Sequence, residues 1–291
     1  IMNILFIGPT RIGDTILASS IINFLIDQNN QSKFTIVTSP FSKDLYEKMP
    51  NLKKIIVINK SIYGLHWLNI WKSCIFKKWD LVVDLRSSII AYLLFTKSRK
   101  IFKGHDNSHK IIQFANFLNT SKKISPYVWS DSIDEAESKN KIKTEGPFIA
   151  VAPYSNWKEK DWSIEKYLKL FKNEFFKNYT LILTGINKDI LDQEKFEKLI
   201  NDPSLTIINL FDVNLRVMIP IFKKCNFFIG SDSGLMHLAA STKCKTFALF
   251  GPTNETVYAP WGDHKVIKSL EYPASDDPLN LSVEKVLNTI K

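Results

Sequence analysis

Residues 8–15 read GPTRIGDT. Laid against the phosphate-loop pattern G-x-x-x-x-G-K-[ST], the stretch matches at Gly8, Gly13 and Thr15 but sets Asp14 where the phosphate-binding lysine would stand. An ionised carboxylate in contact with the β- and γ-phosphates is strongly repelled at intermediate dielectric, so this turn does not cradle a triphosphate. The apolar run Ile4 to Ile7 before it reads as a strand, and TILASSIINFLI after it has helical spacing. Asp14 is therefore expected in the first turn of a helix, at the carboxyl end of a strand. Thr10, Arg11 and Gly13 share that loop.

The segment NFFIGSDSGLMHLAAS (226–241) holds the densest set of polar groups. A strand is expected to end at Gly230. Ser231, Asp232 and Ser233 form a turn with free side-chain acceptors, and Gly234 opens a helix, so backbone N–H groups and the positive helix end face an anion. An Asp or Ser helix cap explains Asp232 or Ser233 alone but explains Gly234 and His237 less well. His237 by itself suits a structural histidine. A second cluster, APYSNWKEKDWS (152–163), offers Ser155, Lys158, Lys160 and Trp162 in a loop before a helix. Loop lysines are ordinarily solvated; one held between Trp157 and Trp162 near a strand's carboxyl end would present a fixed point charge to a phosphate. Thr184-Gly185 and Gly251-Pro252-Thr253 also fall at strand ends.

These residues need strands and helices to place them. ILFI, FTIV, IIVI and DLVVDL alternate with helix-like stretches over residues 3–120, the pattern of βαβ units in a parallel sheet. Residues 130–146, SDSIDEAESKNKIKTEG, are polar and nearly free of large apolar side chains, and they lead into Pro147; they read as an interdomain linker. After them FIAVA, TLILTG, TIINL, NFFIGSD and TFALFG alternate with helical stretches at 188–200 and 214–224. The fold class expected is α/β with two doubly wound parallel-sheet domains, 1–145 and 146–291. The last apolar stripe, Leu279 to Ile290, is helical in spacing and is a candidate to pack back across the junction. In such sheets ligands sit outside the carboxyl ends of strands, where the residues singled out above fall.

Composition narrows the classes. The chain has 291 residues and net charge +10. Residues 1–145 carry 21 Lys+Arg against 12 Asp+Glu, so nearly all the excess lies in the first half. Clusters such as Lys97, Arg99, Lys100 and Lys103 are either solvated faces or a surface for an acidic partner. No nucleic-acid module accompanies them, which leaves an anionic membrane surface or an anionic substrate. Cys74, Cys225 and Cys244 are odd in number and lack metal-ligand spacing, so no disulfide framework and no metal site are expected. No apolar run approaches the length of a spanning helix, and the first residues lack a leader pattern, so a cytoplasmic protein is expected.

Taken together, IGDTILASSIINFL, the K-x-W of Lys160 to Trp162, GSDSGLMHLAAS and TFALFGPTNETVYAPWG resemble, in order, the landmarks of the bacterial heptosyltransferases, glycosyltransferase family 9. The resemblance implies a GT-B fold of two Rossmann-like domains facing a cleft, with acceptor in the N-terminal domain and nucleotide sugar in the C-terminal one. It implies inverting, metal-independent transfer of a sugar, typically heptose from ADP-heptose, onto the lipopolysaccharide core or a related glycolipid. No cofactor is implied beyond that donor. By position, Asp14 matches the catalytic base, Lys160 the diphosphate-binding lysine, Ser231 to Gly234 with His237 the phosphate and sugar loop, and Gly251 to Thr253 a loop near the donor. The chain departs from the family pattern at APYS, at KDWS and at GPTR, where donor sugar and acceptor would be sensed. The partners implied are a nucleotide-diphosphate sugar and an anionic glycolipid met at the cytoplasmic face of the inner membrane. Two other classes remain open on the residues: a nucleotide-sugar epimerase or hydrolase using Asp14 and Asp232 as a carboxylate pair, and a non-catalytic sugar-nucleotide binder.

Overall fold

The structure, a computed structural model, describes residues 1–59, 65–104, 106–190, 192–269 and 279–291. The chain divides into two units, Ile1–Ser130 and Asp131–Lys291. Among the described residues the first unit holds strands β1 (Asn3–Ile7), β2 (Lys33–Thr38), β3 (Leu52–Val57), β4 (Trp79–Asp84) and β5 (Thr96–Ile101), with helices α1 (Ile12–Gln28), α2 (Leu65–Cys74) and α3 (Lys110–Leu118). All its strand pairs are parallel, in the order β3-β2-β1-β4-β5. A parallel sheet covered on both faces needs strands apolar on both faces. Accordingly Ile4, Leu5, Phe6 and Ile7 are all fully buried.

The second unit holds β6 (Phe148–Ala152), β7 (Thr180–Gly185), β8 (Thr206–Phe211), β9 (Phe227–Ser231), β10 (Thr246–Phe250) and β11 (His264–Lys268). Its helices are α4 (Ser132–Lys141), α5 (Ile164–Phe171), α6 (Gln193–Ile200), α7 (Leu215–Lys224), α8 (Gly234–Ser241), α9 (Glu255–Tyr258) and α10 (Val283–Ile290). The strands run parallel in the order β11-β10-β9-β6-β7-β8. Both units are thus doubly wound, the class the alternation predicts. In each, chain direction across the sheet reverses at one place, between β1 and β4 in the first unit and between β6 and β9 in the second. That switch point opens a crevice at the carboxyl ends of the strands.

Four stretches differ from expectation. Residues 132–141, inside the expected linker, form α4. Asp131 caps it, accepting from Ile133 N and Asp134 N at 3.0 Å each, while Asp134 accepts from Asp131 N at 3.1 Å. The face it buries is polar, Asp134 and Ser138, and Asp134 meets Arg216 Nε of α7 at 3.3 Å, so no apolar period advertises the helix. Strands β5 (TKSRKI) and β11 (HKVIK) went unpredicted because each is an edge strand rich in lysine, as edges exposed to solvent commonly are. The last helix, α10, sets Val286 and Ile290 into the second unit's own core, beside Tyr167, Leu170 and Phe171 of α5. The three cysteines are buried and unbridged.

Candidate active site

The crevice of the second unit is built by the loop after β6 and the turn after β9. Ile149 to Ala152 of β6 pair with Phe227 to Gly230 of β9, and a Cβ on Gly230 would stand 2.7 Å from the Ala152 carbonyl oxygen. Glycine is therefore required for the two strands to lie this close at their ends. Past β6, the Asp161 carboxylate draws the loop into a compact turn: Oδ1 accepts from Ser155 N at 2.8 Å and lies 2.8 Å from Ser155 Oγ. A single 3₁₀ turn, Lys158–Lys160, follows, with Lys160 N donating to Trp157 O at 2.9 Å. This geometry delivers the Lys160 side chain across the crevice to the other lip.

There Lys160 Nζ lies 2.7 Å from Asp232 Oδ2 and 3.4 Å from the Asp232 carbonyl oxygen. Thr253 Oγ1, in the turn after β10, donates to the same Oδ2 at 2.7 Å. His237 Nε2, on the first turn of α8, is 4.0 Å from Asp232 Oδ1. Lys160, Asp232, His237 and Thr253, separated by up to 93 positions in the chain, thus share one small volume. Lys160 and Asp232 are nearly buried, at 14% and 7% side-chain exposure, so the pair is weakly screened. Ser233 starts α8 without a side-chain capping bond, and the hydroxyls of Ser231 and Ser233 are buried with no hydrogen-bond partner among the described residues. The helix-cap explanation for Asp232 and Ser233 does not describe this turn.

Two details correct the sequence reading. Asp232 is not a free acceptor; its carboxylate is committed to Lys160 and Thr253. Nor is Lys160 held between two tryptophans. Its Nζ lies 5.1 Å from the Trp157 ring centroid, but Trp162 points into the core, its Nε1 donating to Leu281 O at 2.9 Å and its ring packing edge-on against Tyr167. Thr184 and Gly185 end β7, the strand on the far side of β6, and take no part in these bonds. Gly251 and Pro252 lead from β10 to Thr253.

In the first unit the turn after β1 is tied down by backbone. Gly8 N donates to Val37 O at 2.9 Å, and Thr15 N donates to Arg11 O at 2.9 Å, closing the first turn of α1. Ser39 Oγ donates to Thr10 O at 2.7 Å. Arg11 is the extended N-cap residue, Gly13 lies inside the first turn, and Asp14 stands half-buried there, as its spacing predicts. Lys110, the first residue of α3, is close enough for the Asp14 charge to act on it. Its desolvation lowers the ammonium pKa, which Asp14 and Asp106 partly restore. Sequence reasoning missed Lys110, as it missed Asp161, because a single charged residue carries no pattern. No group of His, Cys, Asp and Glu among the described residues is arranged to hold a metal ion.

Comparison with known proteins gives a consistent picture. Residues 94–286 match the model of glycosyltransferase family 9 (heptosyltransferase). The chain is 27% identical over 272 residues to lipooligosaccharide heptosyltransferase 2 of Campylobacter jejuni, covering 87% of this chain and 82% of that one. Among solved structures, a family 9 glycosyltransferase of Veillonella parvula superposes with a TM-score of 0.81 at 20% identity, covering 99% of this chain and 96% of that one. An E. coli ADP-heptose LPS heptosyltransferase II gives 0.78 at 18% identity, covering 99% and 97%. Both show the same fold.

The buried Asp161 makes a pH test of this loop possible. Desolvation pushes its carboxyl up to about 7, against the hydrogen bonds from Ser155 that lower it. An unfolded aspartate titrates at about 3.9. The folded protein therefore keeps a proton that the unfolded chain releases, and stability falls as pH rises from about 4 to about 7, then levels. Asp161→Asn, which is neutral throughout and still accepts from Ser155, is expected to flatten that slope. Melting temperatures of both proteins from pH 5 to pH 8 measure it; parallel curves would show that Asp161 is ionised across the range.

Proposed function

The chain belongs to glycosyltransferase family 9, the heptosyltransferases, and is a glycosyltransferase of GT-B fold; from this premise we propose that it moves heptose from ADP-heptose onto a lipopolysaccharide core sugar, with inversion and without a metal ion. The observation that carries the reading is the placement of opposite chemistry at the two switch points: a carboxylate on a helix N-terminus in the first unit, and a lysine facing a helix N-terminus in the second. Asp14 takes the proton of an acceptor hydroxyl as that oxygen bonds to the anomeric carbon and the bond to the diphosphate oxygen breaks. One displacement inverts the centre. The positive end of α1 favours a carboxylate at this position. Charge leaving on the diphosphate is taken up by Lys160 and by the backbone N–H groups of Ser233 and Gly234.

Asp232 balances Lys160 before donor arrives, so an entering diphosphate has to draw Nζ away from Oδ2 or share it. His237 and Thr253 are then placed to meet sugar or phosphate oxygens. Commitment of Asp232 to Lys160 and Thr253 also argues against its serving with Asp14 as the carboxylate pair of an epimerase or hydrolase.

The proposal extends to the acceptor's surroundings: the enzyme works at the cytoplasmic face of the inner membrane. The segment between β4 and β5 supports this. Ile89, Tyr92, Leu93 and Phe95 are all exposed, Phe95 at 69%, and Phe76 is exposed beside Lys77 and Lys78. Arg99 holds the segment in place, donating from Nε to Ala91 O and from Nη2 to Leu94 O at 3.1 Å, while Lys97 pairs with Asp80 at 2.7 Å. Apolar side chains rimmed by lysine match an anionic lipid surface. No helix among the described residues is long and apolar enough to cross a membrane.

Three measurements test these statements. Asp14→Asn is expected to leave ADP affinity nearly intact and to cut turnover by about two to four orders of magnitude; near-normal turnover would remove Asp14 from the role of base. Lys160→Ala is expected to weaken ADP binding by about 1.5 to 3 kcal/mol, as for a charge-assisted hydrogen bond, with wild-type activity insensitive to EDTA. Unchanged binding, or loss of activity to the chelator, would count against the metal-free diphosphate site. Sedimentation with phosphatidylglycerol vesicles is expected to exceed that with neutral vesicles, to weaken as the Debye length falls from about 10 Å at 0.1 M to about 3 Å at 1 M salt, and to drop in a Leu93→Ser, Phe95→Ser variant. Equal, salt-independent recovery from both vesicle types would retire the membrane contact.

A further inference from the structure

Strand β4 ends in a buried carboxylate with an arginine two residues on. Asp84 Oδ1 accepts from Arg86 N at 2.8 Å, and Oδ2 accepts from Ser88 N at 2.6 Å and Ser88 Oγ at 2.7 Å. Ser87, between them, adopts φ +50° and donates its hydroxyl to Phe102 O at 2.8 Å. This closed turn fixes the point from which Arg86 departs. Asp84 pairs in register with Ile7 of β1, and Leu85 N donates to Ile7 O at 3.0 Å. Arg86 therefore leaves the sheet at the first unit's switch point, where the opposite lip is the turn from Gly8 to Asp14.

The side chain is held but not satisfied. Its guanidinium carbon lies 4.8 Å from the ring centroid of Trp67 on α2. Nη1 is shielded from solvent and has no hydrogen-bond partner among the described residues. Desolvation lowers the pKa of the group and the nearby Asp84 charge raises it, so the guanidinium remains charged. A shielded N–H with no acceptor is costly in a folded protein and marks a place where an acceptor is missing. The indole backs the guanidinium on one side, and the N–H groups left over suit a planar partner with two oxygens. Neither a neutral hydroxyl nor a second aromatic ring supplies a charged acceptor for that N–H.

We propose that Arg86, positioned by the Asp84 turn and backed by Trp67, binds an oxyanion of the acceptor, a carboxylate or a phosphate, and so sets which hydroxyl is presented to Asp14. The inference rests on the acceptor reading of the first unit given above. It assigns Arg86 a specificity role distinct from proton transfer: the ion pair orients the acceptor, and no bond is made or broken at the guanidinium.

The test uses initial rates of the full chain with ADP-heptose and a deacylated core oligosaccharide in three forms: native, dephosphorylated and carboxyl-reduced. In Arg86→Gln the KM for the native form is expected to rise about 10- to 100-fold, the range of a charge-assisted hydrogen bond, with ADP affinity unchanged. One altered form is expected to raise the wild-type KM by a similar factor and to be used by Arg86→Gln no worse than the native form. Which form does so identifies the oxyanion as phosphate or carboxylate. Arg86→Lys, which keeps the charge and loses the fork, is expected to recover part of the loss. An unchanged KM in Arg86→Gln, or an equal loss on all three forms, would overturn the assignment while leaving the glycosyltransfer reading in place. A wild-type protein inactive on all three forms would instead overturn the proposed acceptor, and this inference with it.

Discussion

The ion pair between Lys160 and Asp232 is the constraint around which the second unit's crevice is organised. Two opposite charges 2.7 Å apart, both largely out of solvent, hold together only if each has further partners. Asp232 has Thr253, and Lys160 has the Asp232 carbonyl and the face of Trp157. Removing either charge would leave the other stranded. The pair therefore ties together three loops, after β6, β9 and β10, and each charge there is matched by the other. On the reading proposed above, an entering diphosphate would exchange with Asp232 as the counter-ion of Lys160.

The same architecture is used in both units for different chemistry. Parallel strands send their chains away from the carboxyl edge in opposite directions at one place only, and the gap this leaves is where side chains from two distant segments converge. In the second unit the converging groups are a lysine and a helix N-terminus, suited to a leaving diphosphate. In the first they are Asp14, also on a helix N-terminus, with Lys110 and Arg86 nearby in the fold. The helix end favours an anion in both cases. In one it carries the protein's own carboxylate in its first turn, and in the other no side chain among the described residues caps it.

Buried carboxylates illustrate how local surroundings divide a single residue type among roles. Asp232 is neutralised by a lysine. Asp84 has no counter-ion in direct contact among the described residues; it is solvated by two backbone amides and a hydroxyl, and burial still raises its carboxyl pKa. Among the described residues Asp161 receives its bonds from Ser155 alone, with Oδ2 buried and without a partner, and its carboxyl is pushed up to about 7. The first organises a binding site, the second aims an arginine and the third closes the loop that carries Lys160.

Much of this was legible in the order of residues. Apolar strands buried on both faces, alternating with amphipathic helices, can form little other than doubly wound sheets, and Asp14 was placed at a strand end and helix start by periodicity alone. The motifs around Lys160, Asp232, His237 and Thr253 were recognisable as a set, and the family match agrees with them. What periodicity could not see was structure without an apolar period: α4, whose buried face is Asp134 and Ser138, and the lysine-rich edge strands β5 and β11. Nor could it see pairings made across the sheet. That Asp232 is bound by a lysine 72 positions away, that Trp162 turns into the core while Trp157 faces the ammonium, and that Arg86 lies over Trp67 with an unmet N–H all depend on which strands become neighbours. Local sequence sets the helices, strands and caps because those interactions span a few residues; the partners of a buried charge are decided only when the tertiary fold brings distant segments into one low-dielectric volume.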